Sequence, residues 1–466
     1  MHAESEQDLK QPKGPIRRSG WNPTPSGRFL CTFLVLLLTS GCASYGVIHN
    51  EPGKDVSAGK PYALKTWAQS KKAEDFIFIL TFSGGGTRAA AMAYGVLEEL
   101  RDTPVVVDGQ QSRLLDQVTH ISSVSGGSFT SAYYGLYGDE IFDNFENEFL
   151  HKNVEGALTR SVLNPFHWFG RKGRTERAVE YYNKILFHDA TFADMMEPGR
   201  PMIVINASDL AYGVRFSFIQ DYFNLLCSDV RDFPIASAVA ASSAVPVVFN
   251  PVVVENYAGC PEFQAPAQAV EMAKQSDELA RLLDGLKSYN DKEERGFIHF
   301  VDGGITDNMG LRAMTDVVTV SGGPAQMMNR MQRKLPSYVV ILSVNASTEK
   351  RPEMNKSAKQ PSMLASMNAM TDVQLHRYNA STVDETRGNL EAWAKQMSTP
   401  EHEVKPYFIE VSFDEVPQPQ LKLFLNKIPT SFDLTEEQVN TLITSARDLV
   451  RADPEFQQLM TDMARP

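Results

Sequence analysis

A serine set among small residues at the end of a β-branched run is where this chain first offers chemistry. Ser125 stands in Ser123-Val124-Ser125-Gly126-Gly127, the nucleophile position of a G-x-S-x-G elbow with Ser123 replacing the first glycine. Such an elbow needs small neighbours because the nucleophile sits on a tight strand-to-helix turn. Ser122, Ser123 and Ser128 lack that spacing. A serine nucleophile also needs a base. The histidines stand outside any motif: His120 precedes the elbow in its strand, His299 alternates along another strand, and His151, His167, His188 and His376 fall in predicted helices or loops. Asp302 differs from them. It ends the apolar run Phe297–Val301 and precedes Gly303-Gly304, which places a carboxylate at the sheet edge that carries Ser125. A bare Asp-Gly turn is the plain alternative.

A third stretch supplies an anion site. Ser83-Gly84-Gly85-Gly86 separates the buried-strand pattern Phe76–Phe82 from a run of helix formers, Ala89 to Leu100. The glycines turn tightly and leave backbone N–H groups bare beside a helix N-terminus with partial positive charge.

The elements that position these turns follow from the same patterns. Gln117–Ser125, Met202–Ser208, Val214–Gln220, Phe297–Val301 and Tyr338–Val344 read as strands, with Val105–Val107 as a short one and Tyr407–Phe413 as an edge strand. Between them lie helical stretches: residues 141–190, the small-residue helix Pro234–Ser243, one charged amphipathic helix over Gln264–Ser288, and the C-terminus from Thr435. Strands alternating with helices predict an α/β fold of three layers, a largely parallel central sheet flanked by helices. Ligands of such sheets bind at the carboxyl ends of strands, where the three glycine turns fall.

The 466 residues, 42% hydrophobic and 22% charged, are ordinary globular composition. A net charge of −12 gives no electrostatic footprint for nucleic acid. No cysteine or histidine cluster has metal spacing, so neither metal nor cofactor is expected. Arg17, Arg18 and Arg28 precede Phe29–Leu38, an apolar run half the roughly 20 residues that span a bilayer, followed by Thr39-Ser40-Gly41-Cys42. This resembles the signal peptide and lipobox of bacterial lipoproteins, with Thr39 where a leucine-like residue is usual. The resemblance implies lipidation at Cys42 and a place in the cell envelope, and Ala43 after the cysteine implies the periplasmic side of the outer membrane. A simple cleavable peptide or signal anchor is the alternative. Cys227 and Cys260 then remain, either as a disulfide or as two free thiols. The expected organisation is 1–41 leader, 42–75 linker, 76–345 catalytic domain and 346–466 C-terminal extension; the sequence leaves oligomeric state open.

Together, Ser83–Arg88, the Ser125 elbow and Asp302-Gly303-Gly304 resemble the patatin-like phospholipases and their relatives, the group IV cytosolic phospholipases. Pro234–Pro246 resembles the small-residue helix of that family. Departures are Ser123 and, after Arg88, Ala89 where glycine is common. The resemblance implies a Ser125–Asp302 dyad, an oxyanion hole at Gly84, Gly85 and Gly86, support from Gly127, Gly303 and Gly304, and a lipid or other acyl-ester substrate. It also implies that Arg88 holds a lipid phosphate, with bracing of the loop as its alternative. Two rival readings are a non-catalytic lipid-binding or scaffold lipoprotein, and a dinucleotide site built on Gly84-x-Gly86-x-x-Ala89 with Asp108 as the ribose-binding acid. Phe166-His167-Trp168-Phe169 with Arg171, Lys172 and Arg174 reads as a membrane-dipping or gating segment, or as core with a basic flank.

Overall fold

The computed structural model describes residues 46–53, 60–70, 76–107, 109–163, 173–246, 248–349 and 356–464. The leader, Cys42, Asp108 and Phe166–Lys172 lie outside the described residues.

The strands are β1 (Phe76–Phe82), β2 (Pro104–Val107), β3 (Gln110–Arg113), β4 (His120–Val124), β5 (Met202–Asp209), β6 (Val214–Ser217), β7 (Val252–Glu255), β8 (Phe297–Asp302), β9 (Tyr338–Asn345) and β10 (Lys405–Ser412). Apart from the β2–β3 hairpin, they join one eight-stranded sheet in the order β10-β9-β1-β4-β5-β8-β7, with β6 paired to β5. The helices that matter to the site are α1 (Thr87–Asp102), α2 (Gly126–Tyr137), α3 (Ile235–Ser242), α4 (Met363–Met397) and α5 (Glu436–Ala452).

Side-chain alternation along the strands makes the three layers. Phe78, Leu80 and Phe82 of β1 join Val340, Leu342 and Val344 of β9 in the larger core, with α1, α2, α3 and α5 over them. Ile77, Val339, Ile341 and Phe408 face the opposite way, under Leu390, Ala394 and Met397 of α4. Helix α1 is buried along almost its whole length, so its Ala-rich sequence suits a position between the sheet and α5. At Gly95 the two helices meet backbone to backbone: a Cβ there would stand 2.5 Å from the Ile443 carbonyl oxygen.

The sheet is parallel from β10 through β5. It is antiparallel at β5–β8, β8–β7 and β5–β6. Asp302 thus ends a strand that runs against the one bearing Ser125. Offset brings the two together: β8 overlaps only the far half of β5, with Asp302 opposite Ala207.

Gln264–Ser288 is also corrected. It forms two helices, Ala267–Ala273 and Asp277–Ser288, because the Ser276 side chain accepts from Leu279 N–H and starts a new helix with acidic residues in its first turn. The Cys227 and Cys260 sulfurs are joined as a disulfide, and the segment 46–53 lies alongside: Gly53 N–H donates to the Cys227 carbonyl at 2.7 Å, and Asn50 exchanges two hydrogen bonds with the Glu255 backbone. Among the described residues no helix is long and apolar enough to cross a membrane, and no group of three or more acidic, His or Cys residues could hold a metal.

Candidate active site

The ends of β1 and β4 lie side by side, with Phe82 opposite Ser123, so the glycine loop and the elbow emerge together. Ser125 adopts φ 49° and ψ −119°. For a residue with a side chain that backbone costs on the order of 1–3 kcal/mol and persists only where the surroundings enforce it. Here they do. Ser125 N–H donates to Ser242 Oγ at 2.8 Å, and its carbonyl accepts from Ser128 Oγ at 2.5 Å and Ser128 N–H at 3.0 Å.

The same neighbours set Asp302. Ser242, the last residue of α3, donates its hydroxyl to the Asn206 carbonyl at 2.6 Å and accepts Gly303 N–H on its carbonyl at 3.1 Å. The Ala244 carbonyl accepts Asp302 N–H at 3.0 Å. Gly303 is small because a Cβ would stand 2.4 Å from the Asn206 oxygen. The Asp302 carboxylate accepts Gly304 N–H at 2.7 Å on Oδ1 and stands beside the Ser125 side chain. Burial pushes its pKa up to about 6, and the Gly304 N–H and the Ser125 side chain oppose the rise. A carboxyl so tuned can accept a proton near neutral pH.

The glycine loop completes the arrangement. Gly86 has φ 60° and ψ −146°, a backbone that side chains rarely adopt. It lies directly on the elbow: a Cβ on Gly126 would stand 2.1 Å from the Gly86 oxygen and 2.6 Å from its nitrogen. Gly127 meets the Phe82 and Ser83 oxygens equally closely, at 2.8 Å from a built Cβ. No partner for the Gly85 and Gly86 N–H groups occurs among the described residues. Gly84 is a correction: its N–H already donates to the Asn308 carbonyl at 3.0 Å, so it fixes the loop and is not a free donor.

Arg88 is corrected likewise. Its side chain turns inward, 3% exposed, and donates to the Ala346 and Ile428 carbonyls at 2.7 Å each and to Thr430 Oγ1 at 3.0 Å. That is the bracing alternative, and no phosphate site is assigned to it. The sequence pattern also missed Ser242, Asn206 and Asn308. Asn206 carried a signal: a polar residue inside the buried strand β5 must find partners, and it donates to Ser122 Oγ and the Ser123 carbonyl. The others act through contacts far apart in sequence.

The family model described as patatin-like phospholipase matches residues 80–315, just over half of the chain. The chain belongs to the patatin-like phospholipase family. All three motif turns of this patatin-like chain lie inside the matched span, and β10 and α5 lie beyond it. Human GIVD cytosolic phospholipase A2 is similar in structure, with 13% identity over 90% of this chain and 66% of its own, and a TM-score of 0.43. The same enzyme in complex with methyl gamma-linolenyl fluorophosphonate gives 15% identity, 87% and 62% coverage and a TM-score of 0.38. VipD from Legionella pneumophila gives 13% identity, 92% and 73% coverage and a TM-score of 0.33. The chain thus spans less than two thirds of the human enzyme's length. No curated protein sequence matches.

Proposed function

We propose that this chain is a membrane-anchored serine acyl hydrolase that cleaves carboxylic esters of lipids through a Ser125–Asp302 dyad. The observation that carries the proposal is the buried Asp302 carboxyl brought beside the strained Ser125, the two held by the same Ser242, with burial pushing the Asp302 pKa up to about 6. Asp302 takes the Ser125 Oγ proton as Oγ attacks the ester carbonyl. The carbonyl oxygen becomes an oxyanion facing the Gly85 and Gly86 N–H groups; one such donor typically contributes about 3–4 kcal/mol. Collapse expels the alcohol, which leaves with the proton from Asp302. Water, deprotonated by Asp302, then attacks the acyl-enzyme, and the fatty acid is released with Ser125 restored. Lipidation at Cys42 would hold the enzyme at a bacterial envelope membrane, beside its substrate.

Purified full-length protein tests this on a panel of phospholipid, glyceride and short-chain esters. Turnover should be lost, by on the order of 10³-fold or more, in Ser125→Ala and in Asp302→Asn, with the double variant little worse than either single one, because members of one catalytic unit are not additive. Near-normal turnover by folded Asp302→Asn would remove the dyad. Mass spectrometry of protein from a Gram-negative host should show a diacylglyceryl N-terminus at Cys42; a chain retaining Ser40 and Gly41 would remove the anchor.

A further inference from the structure

The segment Asn426–Leu434 lies beyond the part of the chain that the family model matches, yet it touches the glycine loop at consecutive residues. Thr87 N–H donates to the Ser431 carbonyl at 3.0 Å, and a Cβ on Gly86 would stand 2.6 Å from that same oxygen. Two of the Arg88 donors end on Ile428 and Thr430. The next residue, Phe432, is held in an aromatic cluster with Phe129 and Phe149, at ring-centroid distances of 5.5 and 6.4 Å. Its carbonyl accepts Val154 N–H at 3.1 Å, and Ser431 Oγ donates to Glu155 at 2.5 Å. On its other side the loop is fixed by Asn308 and by the elbow. The loop is therefore clamped between the motif residues and a strap from the C-terminal extension.

We infer that this strap is a positioning element for the oxyanion hole, with Thr430 and Phe432 as its positioning residues acting through Arg88 and the Ser431 carbonyl. The inference rests on the hydrolase reading above. The physical reason is that Gly85 and Gly86 sit in backbone conformations that nothing in their own side chains enforces, so the direction of their N–H groups is set from outside. Arg88 reads the strap and the end of β9 at once, since its third donor goes to Ala346, and it follows Gly86 by two residues. A misplacement near 1 Å can cost about 10²-fold in rate even from a residue remote from the chemistry.

Thr430→Val keeps the shape and removes the oxygen that Arg88 uses, Thr430→Ser keeps the oxygen, and Phe432→Leu loosens the strap without emptying the cluster. Each full-length variant is compared with wild type in turnover of a water-soluble short-chain ester, per titrated active site, in inhibition by a trifluoromethyl ketone, and in melting temperature. Thr430→Val and Phe432→Leu should lower kcat about ten- to a hundredfold with KM within about twofold, and raise the ketone inhibition constant by the same factor, because the tetrahedral adduct uses the hole and the bound ester does not. Thr430→Ser should stay within about threefold of wild type. Unchanged kcat per active site in Thr430→Val and Phe432→Leu, whether or not the melting temperature falls, would overturn the inference, as would kcat and KM changing together. A wild type without any ester turnover would overturn the hydrolase reading and this inference with it, whereas an active wild type with unaffected variants overturns the strap alone.

Discussion

The knot of β4, β5, β8 and α3 around Ser125 and the seam between α1 and α5 are both buried, and they are built in opposite ways. In the knot, backbone meets backbone through glycine and serine, and the partners are fixed by single hydrogen bonds of 2.5–3.1 Å. In the seam, long side chains do the joining: Arg447 reaches Glu98, Glu99 and Asp102, and Arg451 reaches Glu99. The knot defines positions, because its atoms have no room to move. The seam supplies cohesion, because its contacts are several, partly solvated and individually replaceable.

The sharpest way to break that contrast is Gly126→Ala. One methyl group at the Gly86 oxygen should cost more than 10²-fold in turnover, measured per folded molecule, by displacing the loop that carries the oxyanion donors. If Gly126→Ala kept full activity, the knot would be more compliant than its distances imply.

The charge state of Asp302 gives the next effect. With a pKa near 6, kcat/KM should fall about tenfold per pH unit below that value, where an unperturbed carboxyl would hold activity down to about pH 4. The sign for stability is opposite. The folded pKa lies above the unfolded one, so this carboxyl costs nothing below about pH 4, and its ionisation destabilises the fold progressively as pH rises to about 6. Asp302→Asn should therefore melt higher than wild type at pH 8 and converge with it toward pH 4, in a thermal scan across that range. Asp307, five residues on, is raised to about 6 by burial as well, but accepts Ala313 N–H and stands by Arg215 rather than Ser125. Perturbation alone does not mark the base; the neighbour does.

Gly95→Ala probes a place where the seam too has backbone contact. It should lower stability by about 1–3 kcal/mol in denaturant unfolding, leaving kcat per active site unchanged. The smallest effect is expected for Arg447→Ala, about 1 kcal/mol or less, since Glu99 keeps Arg451. A loss of activity in either variant would mean that the seam also positions the site.

Local features of this layout were legible because local patterns cause them. The apolar runs of β1 and β9 and the β-branched run around β4 specify buried strands, and the small residues after β1, β4 and β8 specify where turns must fall. Ser276 with acidic residues behind it carried a helix start that the longer amphipathic pattern masked. The direction of β8 was not legible, because periodicity is the same whichever way a strand runs. Nor were the partners of Gly84, Arg88 and Ser125. Arg88 ends on residues 258, 340 and 342 positions away, and Ser125 N–H on one 117 positions away. A hydroxyl in an Ala-Ser helix looks the same whether it caps its own turn or holds an elbow.

The long reach of these contacts has a consequence for how the molecule comes into being. During synthesis the serine emerges first, the aspartate much later, and the Ser431 carbonyl that receives Thr87 N–H later still. Contacts so distant in sequence close slowly and late. A chain stopped between Asp302 and Ser431 carries both the serine and the aspartate without the outer half of the clamp. The ribosome thus has to pass residue 431 before the strap can close on the glycine loop, and a product that stops short of it is released without that contact.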